Sequence, residues 1–295
     1  MTKSAFILIC GRPNVGKSTL LNALLGEKIA IVSKKPQTTR TRITGILTKG
    51  ENQYVFIDTP GIHNPKTKLG DYMMKRVNDS INDSDINLFV IEAGTRLNEA
   101  ETKTLASLSL RGGKTILIIN KCDAVNKVKV AETIRDISEN YEFESVIPIS
   151  ALTGDGVSIV FDEIDKLMLE SVHFFPEDMI TDMPEKQLVA EMIREKILRL
   201  TDEEIPHGVA VVIEEFHEKK DLLSIRAEIY CEKESHKRII IGHKGEMLKK
   251  IGTYARQDIE SFFGMRVYLD LWVKVKENWR DRQSLLNSFG YGDKE

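Results

Sequence analysis

The chain has 295 residues, a length typical of about two domains, and a formal net charge of −3. Its 41% hydrophobic and 29% charged residues describe a globular protein with buried cores, and no apolar run approaches transmembrane length. Because the first residues lead directly into an apolar run, we expect no signal peptide. Three widely spaced cysteines lack a metal-ligand pattern and predict reduced thiols of a cytosolic protein: Cys10, Cys122 and Cys231.

The first predicted elements are a buried strand at Phe6–Ile9 and a helix that ends at Gly26. Between them, Gly11–Ser18 reads GRPNVGKS and fits the phosphate-binding pattern G-x-x-x-x-G-K-[ST]. In such a loop the backbone N–H groups surround phosphate oxygens at a helix N-terminus. We therefore expect Lys17 to reach the β and γ phosphates and the Ser18 hydroxyl to ligate Mg²⁺.

Two segments that follow resemble γ-phosphate sensors. Pro36–Thr41 is a polar loop rich in hydroxyls, and one threonine is expected to complete the Mg²⁺ shell, with Thr39 preferred over Thr38. The alternative is a solvated loop without a ligand role. After a predicted strand at Tyr54–Ile57, the carboxylate of Asp58 is expected to reach Mg²⁺ through water, and the Gly61 N–H to bond the γ-phosphate.

Residue 62 is an isoleucine, at the position where Ras-like enzymes carry the glutamine that orients the attacking water. An aliphatic side chain cannot do this, so we expect intrinsic hydrolysis to be slow unless another group or an ion supplies the charge stabilisation. The amide oxygen of Asn14 would ligate K⁺ beside the β and γ phosphates; the equally weighted alternative is a turn residue after Pro13. His63 is expected to be solvated rather than catalytic. Arg40 and Arg42 are candidate charge donors to the phosphates; the alternatives are solvent-facing loop charges or contacts to a partner.

The guanine base is predicted from Asn120–Asp123, which reads NKCD and follows an apolar strand at Thr115–Ile119. Ligands bind at the carboxyl ends of strands in open α/β sheets. A carboxylate at Asp123 accepts both N1–H and N2–H of guanine, whereas adenine lacks that donor pair. Asn120 and the stem of Lys121 are expected to flank the base.

A further predicted strand, Val146–Ile149, leads into Ser150–Leu152, where the backbone N–H of Ala151 is expected to meet guanine O6. The alternative for this tripeptide is an ordinary strand end. A helix is predicted at about Val157–Leu169, and two prolines with acids between them then mark a linker. The predicted boundaries are a nucleotide-binding domain at 1–172, a linker at 173–185 and a second domain at 186–295.

The second domain has a different pattern and lacks another phosphate loop. Its predicted elements are a helix at Leu188–Leu200, strands at Val209–Phe216 and Leu223–Cys231, a helix at Glu246–Phe263 and a strand at Arg266–Val275. Within the last strand, Trp272 is expected to lie in the core rather than to serve as a stacking platform.

The loop at Gly242–Gly245 has the I-G-x-x-G pattern and resembles that of the K homology RNA-binding domain. Propensity alone predicts a strand at Ile239–Ile241, whereas the resemblance implies a short helix. Between residues 236 and 256, six basic residues face one acid, although residues 176–295 carry a net charge of −4. This favours a defined groove for single-stranded RNA; the alternative is a structural glycine turn between two helices.

Taken in order, these motifs resemble the Era family of bacterial ribosome-assembly GTPases along nearly the whole chain. The resemblance implies an α/β P-loop GTPase domain with a mostly parallel sheet and helices on both faces, followed by an α+β type II K homology domain. It implies binding of the 3′ end of 16S ribosomal RNA, action in 30S subunit assembly under control of GTP and GDP, and release on hydrolysis. It also implies a cytoplasmic monomer with peripheral inner-membrane association.

The candidate residues fall into four groups. Catalytic candidates are Asn14, Lys17, Thr39 and Gly61. Nucleotide-binding candidates are Gly11, Asn14, Val15, Gly16, Lys17, Ser18, Thr19, Thr38, Thr39, Asp58, Gly61, Asn120, Lys121, Asp123, Ser150, Ala151 and Leu152. Mg²⁺ candidates are Ser18, Thr39 and Asp58. RNA-binding candidates are Lys237, Arg238, Ile241, Gly242, His243, Lys244, Gly245, Lys249, Lys250 and Arg256.

Two other functions compete with this interpretation. A tRNA-modification or double-domain ribosome GTPase would need a modification module with a reactive cysteine or a second GTPase domain, and the second half of the sequence resembles neither. An RNA-binding protein that binds nucleotide with negligible turnover is compatible with Ile62, and a turnover assay distinguishes it.

Overall fold

The computed structural model of the chain describes residues 1–33, 35–201 and 208–292, which form two compact units. The first unit consists of Met1–Val32, Thr39–Asn64 and Met73–Asp182. The second consists of Ser33–Thr38, Pro65–Tyr72 and Met183–Glu295. The predicted second domain, 186–295, includes residues 202–207 and 293–295, which lie outside the described part.

The first unit is built on a six-stranded sheet. Its strands are β1 (Lys3–Cys10), β2 (Ile43–Lys49), β3 (Asn52–Asp58), β4 (Ile86–Glu92), β5 (Lys114–Asn120) and β6 (Ser145–Pro148). Their order is β2-β3-β1-β4-β5-β6, in which β2 pairs antiparallel with β3 and the other pairs are parallel. This confirms the predicted, mostly parallel sheet. Both faces of the central strands are buried, which explains their uninterrupted apolar sequences.

Helices cover the two faces of this sheet. They are α1 (Lys17–Leu25), α2 (Lys68–Asn82), α3 (Glu99–Leu110), α4 (Lys127–Ser138) and α5 (Val157–Leu167). Val77, Leu105 and Ile137 of α2, α3 and α4 pack with alternate residues of the strands, such as Leu8 and Phe89, in one core. Helix α1 contacts β2, β3 and α5. The parallel strands therefore end at one edge, where the loops with the predicted nucleotide motifs begin.

The second unit has an α+β arrangement. Its elements are α6 (Glu185–Leu200), β7 (Ala210–Lys219), β8 (Leu222–Cys231), α7 (Glu234–Ile241), α8 (Glu246–Phe263), β9 (Arg266–Val275) and α9 (Gln283–Ser288). The sheet order is β7-β8-β9, with β7 antiparallel and β9 parallel to β8. Buried residues of α6, α7 and α8 pack against the sheet, for example Ile193, Ile240 and Ile259 with Ile225. The predicted fold class is confirmed.

The structure decides two expectations for this unit. Ile239–Ile241 belongs to helix α7, as the resemblance to the K homology domain implied, and not to the strand that propensity alone predicted. Ile240 is 0% exposed and its neighbour Ile239 is 48% exposed, which is a helical pattern of burial. The prediction that Trp272 lies in the core is wrong. Trp272 lies on the outer face of β9 and is 57% exposed, with its indole Nε1 donating to Asp270 Oδ2 (2.8 Å). Successive side chains of a strand point to opposite faces of the sheet. Because Leu271 and Val273 pack against the core, Trp272 between them faces outward.

Among the described residues, no helix has both the length and the apolar character that crossing a membrane requires.

Candidate functional site

The glycine-rich loop lies between the end of β1 and the start of α1, as predicted. Asn14 and Gly16 adopt positive φ angles of 65° and 98° within it. Lys17 opens α1 and is buried, and its ammonium donates to the carbonyl oxygens of Gly11 (3.0 Å) and Arg12 (2.9 Å). Burial lowers the pKa of Lys17, while the Asp58 carboxylate acts in the opposite direction. The loop thus holds a buried cation at its own centre.

The three predicted Mg²⁺ ligands come together. The Ser18 hydroxyl donates to Asp58 Oδ2 (2.6 Å) and lies 2.8 Å from the Thr39 hydroxyl, which is 3.4 Å from the same Asp58 oxygen. Thr38 instead donates its hydroxyl to the Lys35 carbonyl (2.7 Å). The geometry therefore favours Thr39 over Thr38 for the ion site.

These side chains fit a hard cation. Two hydroxyls and a carboxylate are oxygen donors of the kind that Mg²⁺ prefers. Oδ1 of Asp58 is buried without a hydrogen bond within the described residues, and such an atom is costly unless an ion or water satisfies it. Burial raises the pKa of Asp58 to about 6, opposed by the charge of Lys17.

The segment after β3 approaches the glycine-rich loop closely. A Cβ atom on Gly61 would lie 2.6 Å from the ring of Pro13, so only glycine fits without displacement. The next backbone N–H, of Ile62, donates to the Gly11 carbonyl (3.0 Å), and the Ile62 side chain is buried in the core. Nδ1 of His63 lies 2.7 Å from the Gly61 carbonyl oxygen. The Gly61 and phosphate-binding backbones are thus neighbours.

The two arginines of the first switch loop differ in exposure. Arg40 is only 1% exposed, so the alternative of a solvent-facing charge is wrong for this residue. Arg42 forms a partly exposed ion pair with Asp83 (3.0 Å). Loop position alone therefore does not determine side-chain burial, which depends on the elements packed against the loop.

Asn120 makes two hydrogen bonds that the sequence did not predict. It is 2% exposed; its Nδ2 donates to the Val15 carbonyl (2.8 Å), and its Oδ1 accepts the N–H of Ala151 (2.9 Å). Asn120 therefore joins the phosphate loop to the loop after β6. The Ala151 N–H, predicted for guanine O6, thus donates to Asn120 in this structure.

The other base-side candidates surround this junction. Lys121 has a φ of 64° and donates its ammonium to Glu92 (2.8 Å), while Asp123 is exposed. Ser150 is buried and accepts the Thr153 N–H (3.2 Å), whereas the Leu152 side chain is 80% exposed. An exposed carboxylate at Asp123 leaves its oxygens accessible to a base.

In the second unit, the Gly242–Gly245 loop joins α7 to α8 through a tight backbone. Gly242, Lys244 and Gly245 have φ angles of 73°, 48° and 84°. A Cβ on Gly242 would lie 2.7 Å from Cβ of Met247, so the loop packs on the first turn of α8. Most of the predicted basic contacts are exposed around it: Arg238, Lys244, Lys249, Lys250 and Arg256. Lys237 is half-buried and lies 4.0 Å from Glu234.

The sequence analysis missed one polar pair beside the phosphate loop. Nη1 of Arg12 lies 3.8 Å from Oε2 of Glu101, which is fully buried at the start of α3. The local signal was the spacing of Asn98 and Glu101, which form a capping box with both reciprocal hydrogen bonds. That pattern predicts a helix start but not its ion pair with the phosphate loop.

Two family models match the chain. One, described as a 50S ribosome-binding GTPase, matches residues 6–121, and a KH domain model matches residues 204–280. The second match, to a KH domain rather than to another GTPase domain, argues against a double-domain GTPase.

Curated and solved relatives extend over the whole length. GTPase Era of Clostridium kluyveri is 51% identical over 99% of this chain and 100% of that protein, and GTPase Era of Ruminiclostridium cellulolyticum is 49% identical over 98% and 97%. A crystal structure of Era in complex with MgGDPNP and nucleotides 1506–1542 of 16S ribosomal RNA has a TM-score of 0.95 at 40% identity, covering 99% of this chain and 100% of that one. Aquifex aeolicus Era bound to GDP and AlF4⁻ gives the same values. The chain therefore belongs to the Era family of GTPases.

Proposed function

We propose that this GTPase binds the 3′ end region of 16S ribosomal RNA through its KH domain and acts in 30S subunit assembly, with GTP and GDP controlling binding and release. The observation that carries the proposal is the likeness, at a TM-score of 0.95 over 99% of the chain, to an Era structure solved with nucleotides 1506–1542 of that RNA. The exposed basic residues around Gly242–Gly245 support it, because phosphates need cations and close backbone approach.

A role for each nucleotide-site residue follows from the geometry. Lys17 would exchange its bonds to the loop carbonyls for bonds to the β and γ phosphates, and Asp123 would accept from guanine. Ser18, Thr39 and Asp58 would hold Mg²⁺, which neutralises charge on the phosphates when it is bound. The remaining candidates would act through backbone N–H groups or by holding these loops, as Asn120 does through its bonds to Val15 and Ala151.

The RNA proposal is tested by measuring the affinity for a fluorescent oligonucleotide that matches the 3′ end of 16S ribosomal RNA. We expect binding at least about tenfold tighter with a non-hydrolysable GTP analogue than with GDP, the size of a typical coupling free energy between two sites. An oligonucleotide of the same length and scrambled sequence is the control. Equal affinity in the two nucleotide states would contradict control by GTP and GDP.

Hydrolysis in the absence of a catalytic glutamine is the second point of the proposal. Ile62 is buried and its side chain has no group that orients water, so we propose that the amide oxygen of Asn14 ligates K⁺ beside the phosphates. A positive φ also suits asparagine as a plain turn residue. The two roles are compatible, since the turn depends on the backbone of Asn14 and the proposed K⁺ contact on its side-chain amide oxygen.

We expect hydrolysis at least about tenfold faster in KCl than in NaCl at equal ionic strength, because a fixed cation stabilises the charge that develops between the phosphates. The matched variant is Asn14→Gly, which keeps the positive φ and removes the amide oxygen, and it should lose the difference. Multiple-turnover phosphate release is the measurement. Equal rates in both salts exclude the ion, and negligible turnover in both supports the nucleotide-binding alternative.

The domain boundaries and cellular context belong to the same proposal. We place the GTPase domain at 1–172, the linker at 173–185 and the KH domain at 186–295, which is supported by the change of compact unit between Asp182 and Met183. A cytoplasmic monomer with peripheral inner-membrane association is carried over from the family resemblance. Sedimentation of the purified protein and flotation with vesicles measure these two properties.

A further inference from the structure

The side chain of Arg12 links the phosphate loop to the start of α3. Its Nη1 lies 3.4 Å from the Arg96 carbonyl, to which it donates, and 3.8 Å from Oε2 of Glu101. Both partners are more than 80 residues away in the sequence, in the connection after β4 and in the first turn of α3. Arg12 therefore joins two loops at the carboxyl edge of the sheet.

Burial of the Glu101 carboxylate costs desolvation free energy. Its side chain is 1% exposed, its Oε2 accepts the Asn98 N–H (2.9 Å) as part of the capping box, and its Oε1 is buried without a hydrogen bond in the described residues. A buried carboxylate is tolerated only when cations or donors compensate it. Arg12 is its ion-pair partner, so the carboxylate contacts the phosphate loop through this side chain.

The backbone around Arg12 carries contacts of the nucleotide site. The Arg12 carbonyl accepts from Lys17 (2.9 Å), and the preceding carbonyl, of Gly11, accepts from Lys17 (3.0 Å) and from the Ile62 N–H (3.0 Å). The position of this peptide therefore sets both the phosphate-binding lysine and the contact with the segment after Gly61. Preorganised contacts of this kind raise affinity by reducing the ordering that binding requires.

We propose that Glu101 and Arg12 are a positioning pair that holds the phosphate loop in its binding geometry and thereby lengthens the residence time of the nucleotide. The inference rests on the proposed role of this loop as the nucleotide site. A role confined to helix stability would come from the capping box alone, which involves Asn98 and Glu101 but not Arg12.

The test measures dissociation rates of fluorescent GDP, together with kcat and KM for GTP, in Arg12→Ala, Arg12→Lys, Glu101→Gln and the double variant Arg12→Ala/Glu101→Gln. Glutamine can still accept the Asn98 N–H, so it removes the charge and leaves the cap. The matched control is Lys103→Ala, which removes an exposed ion pair with Glu99 (2.6 Å) on the same helix.

We expect Arg12→Ala and Glu101→Gln each to release GDP about tenfold faster and to raise KM with kcat nearly unchanged, the scale of one lost charge-assisted contact. The double variant should be no faster than Arg12→Ala alone, because Arg12→Ala already removes the ion pair that Glu101→Gln removes. Arg12→Lys should recover part of the effect, and Lys103→Ala should match the wild type.

Release within twofold of the wild-type rate in both single variants would overturn the inference, even if thermal unfolding shifted. Additive effects in the double variant would also overturn it, because the two residues would then act separately. GDP binding by the wild-type chain is measured first. If the wild type did not bind GDP, both the assignment of the nucleotide site and this inference would be wrong. If the wild type bound GDP and the variants released it at the wild-type rate, only this inference would be wrong.

Discussion

Lys17→Ala is expected to weaken GTP and GDP binding by at least about 100-fold, because it removes a buried, charge-assisted donor aimed at two phosphates. In the structure this ammonium is buried and held by the Gly11 and Arg12 carbonyls, at 3.0 and 2.9 Å. No other candidate residue combines a cation with the first turn of α1. Isothermal titration with GDP and Mg²⁺ measures the effect.

Loss of the fold would be a trivial explanation, and thermal unfolding without nucleotide tests it. Burial lowers the pKa of Lys17, so removal of the ammonium removes a desolvation cost. It also leaves the Gly11 and Arg12 carbonyls without this donor, so the affinity is compared at temperatures at which the variant is folded. Lys166→Ala, which removes an exposed ion pair with Glu163 (2.6 Å), is the control. An affinity of Lys17→Ala within about tenfold of the wild-type value would refute the assignment of the phosphate loop.

Gly245→Asp is expected to weaken binding of the 16S-derived oligonucleotide by about 100-fold and to leave GTP hydrolysis unchanged. Gly245 precedes α8 with a φ of 84°, and a Cβ there would meet no atom within 4 Å. The added carboxylate therefore projects into open space beside the exposed basic residues, where it repels phosphate groups at a cost of several kcal/mol. Fluorescence anisotropy with the GTP-analogue-loaded protein measures the affinity.

Gly245→Asn separates charge from backbone strain. Asparagine has nearly the same size and tolerates positive φ better than most residues, but it carries no charge. It should bind RNA much more tightly than the aspartate variant. If both variants were equally weak, backbone strain or bulk would be responsible, and if Gly245→Asp bound like the wild type, the loop would be a structural turn between α7 and α8.

Elements with a strong local pattern were predictable from the sequence. The prediction for α8, Glu246–Phe263, and for β9, Arg266–Val275, matches the observed bounds, and α1 ends before Gly26 as expected. The apolar period and the terminal glycines lie within each segment, so neighbouring residues alone encode them. At Ile239–Ile241 local propensity was misleading, because packing of Ile240 in the core decided for a helix.

The linear sequence also determined which segments line the nucleotide site, since motif order and the rule that ligands bind at the carboxyl ends of parallel strands suffice for that. The tertiary structure decided what each side chain contacts: Asn120 joins two loops, Trp272 faces outward, and Arg12 reaches Glu101. These contacts depend on strand order and on which helix packs against which strand. A buried polar atom forms its hydrogen bond with a group that the fold places nearby, even when that group is distant in the sequence. A local sequence pattern therefore cannot predict which group it is.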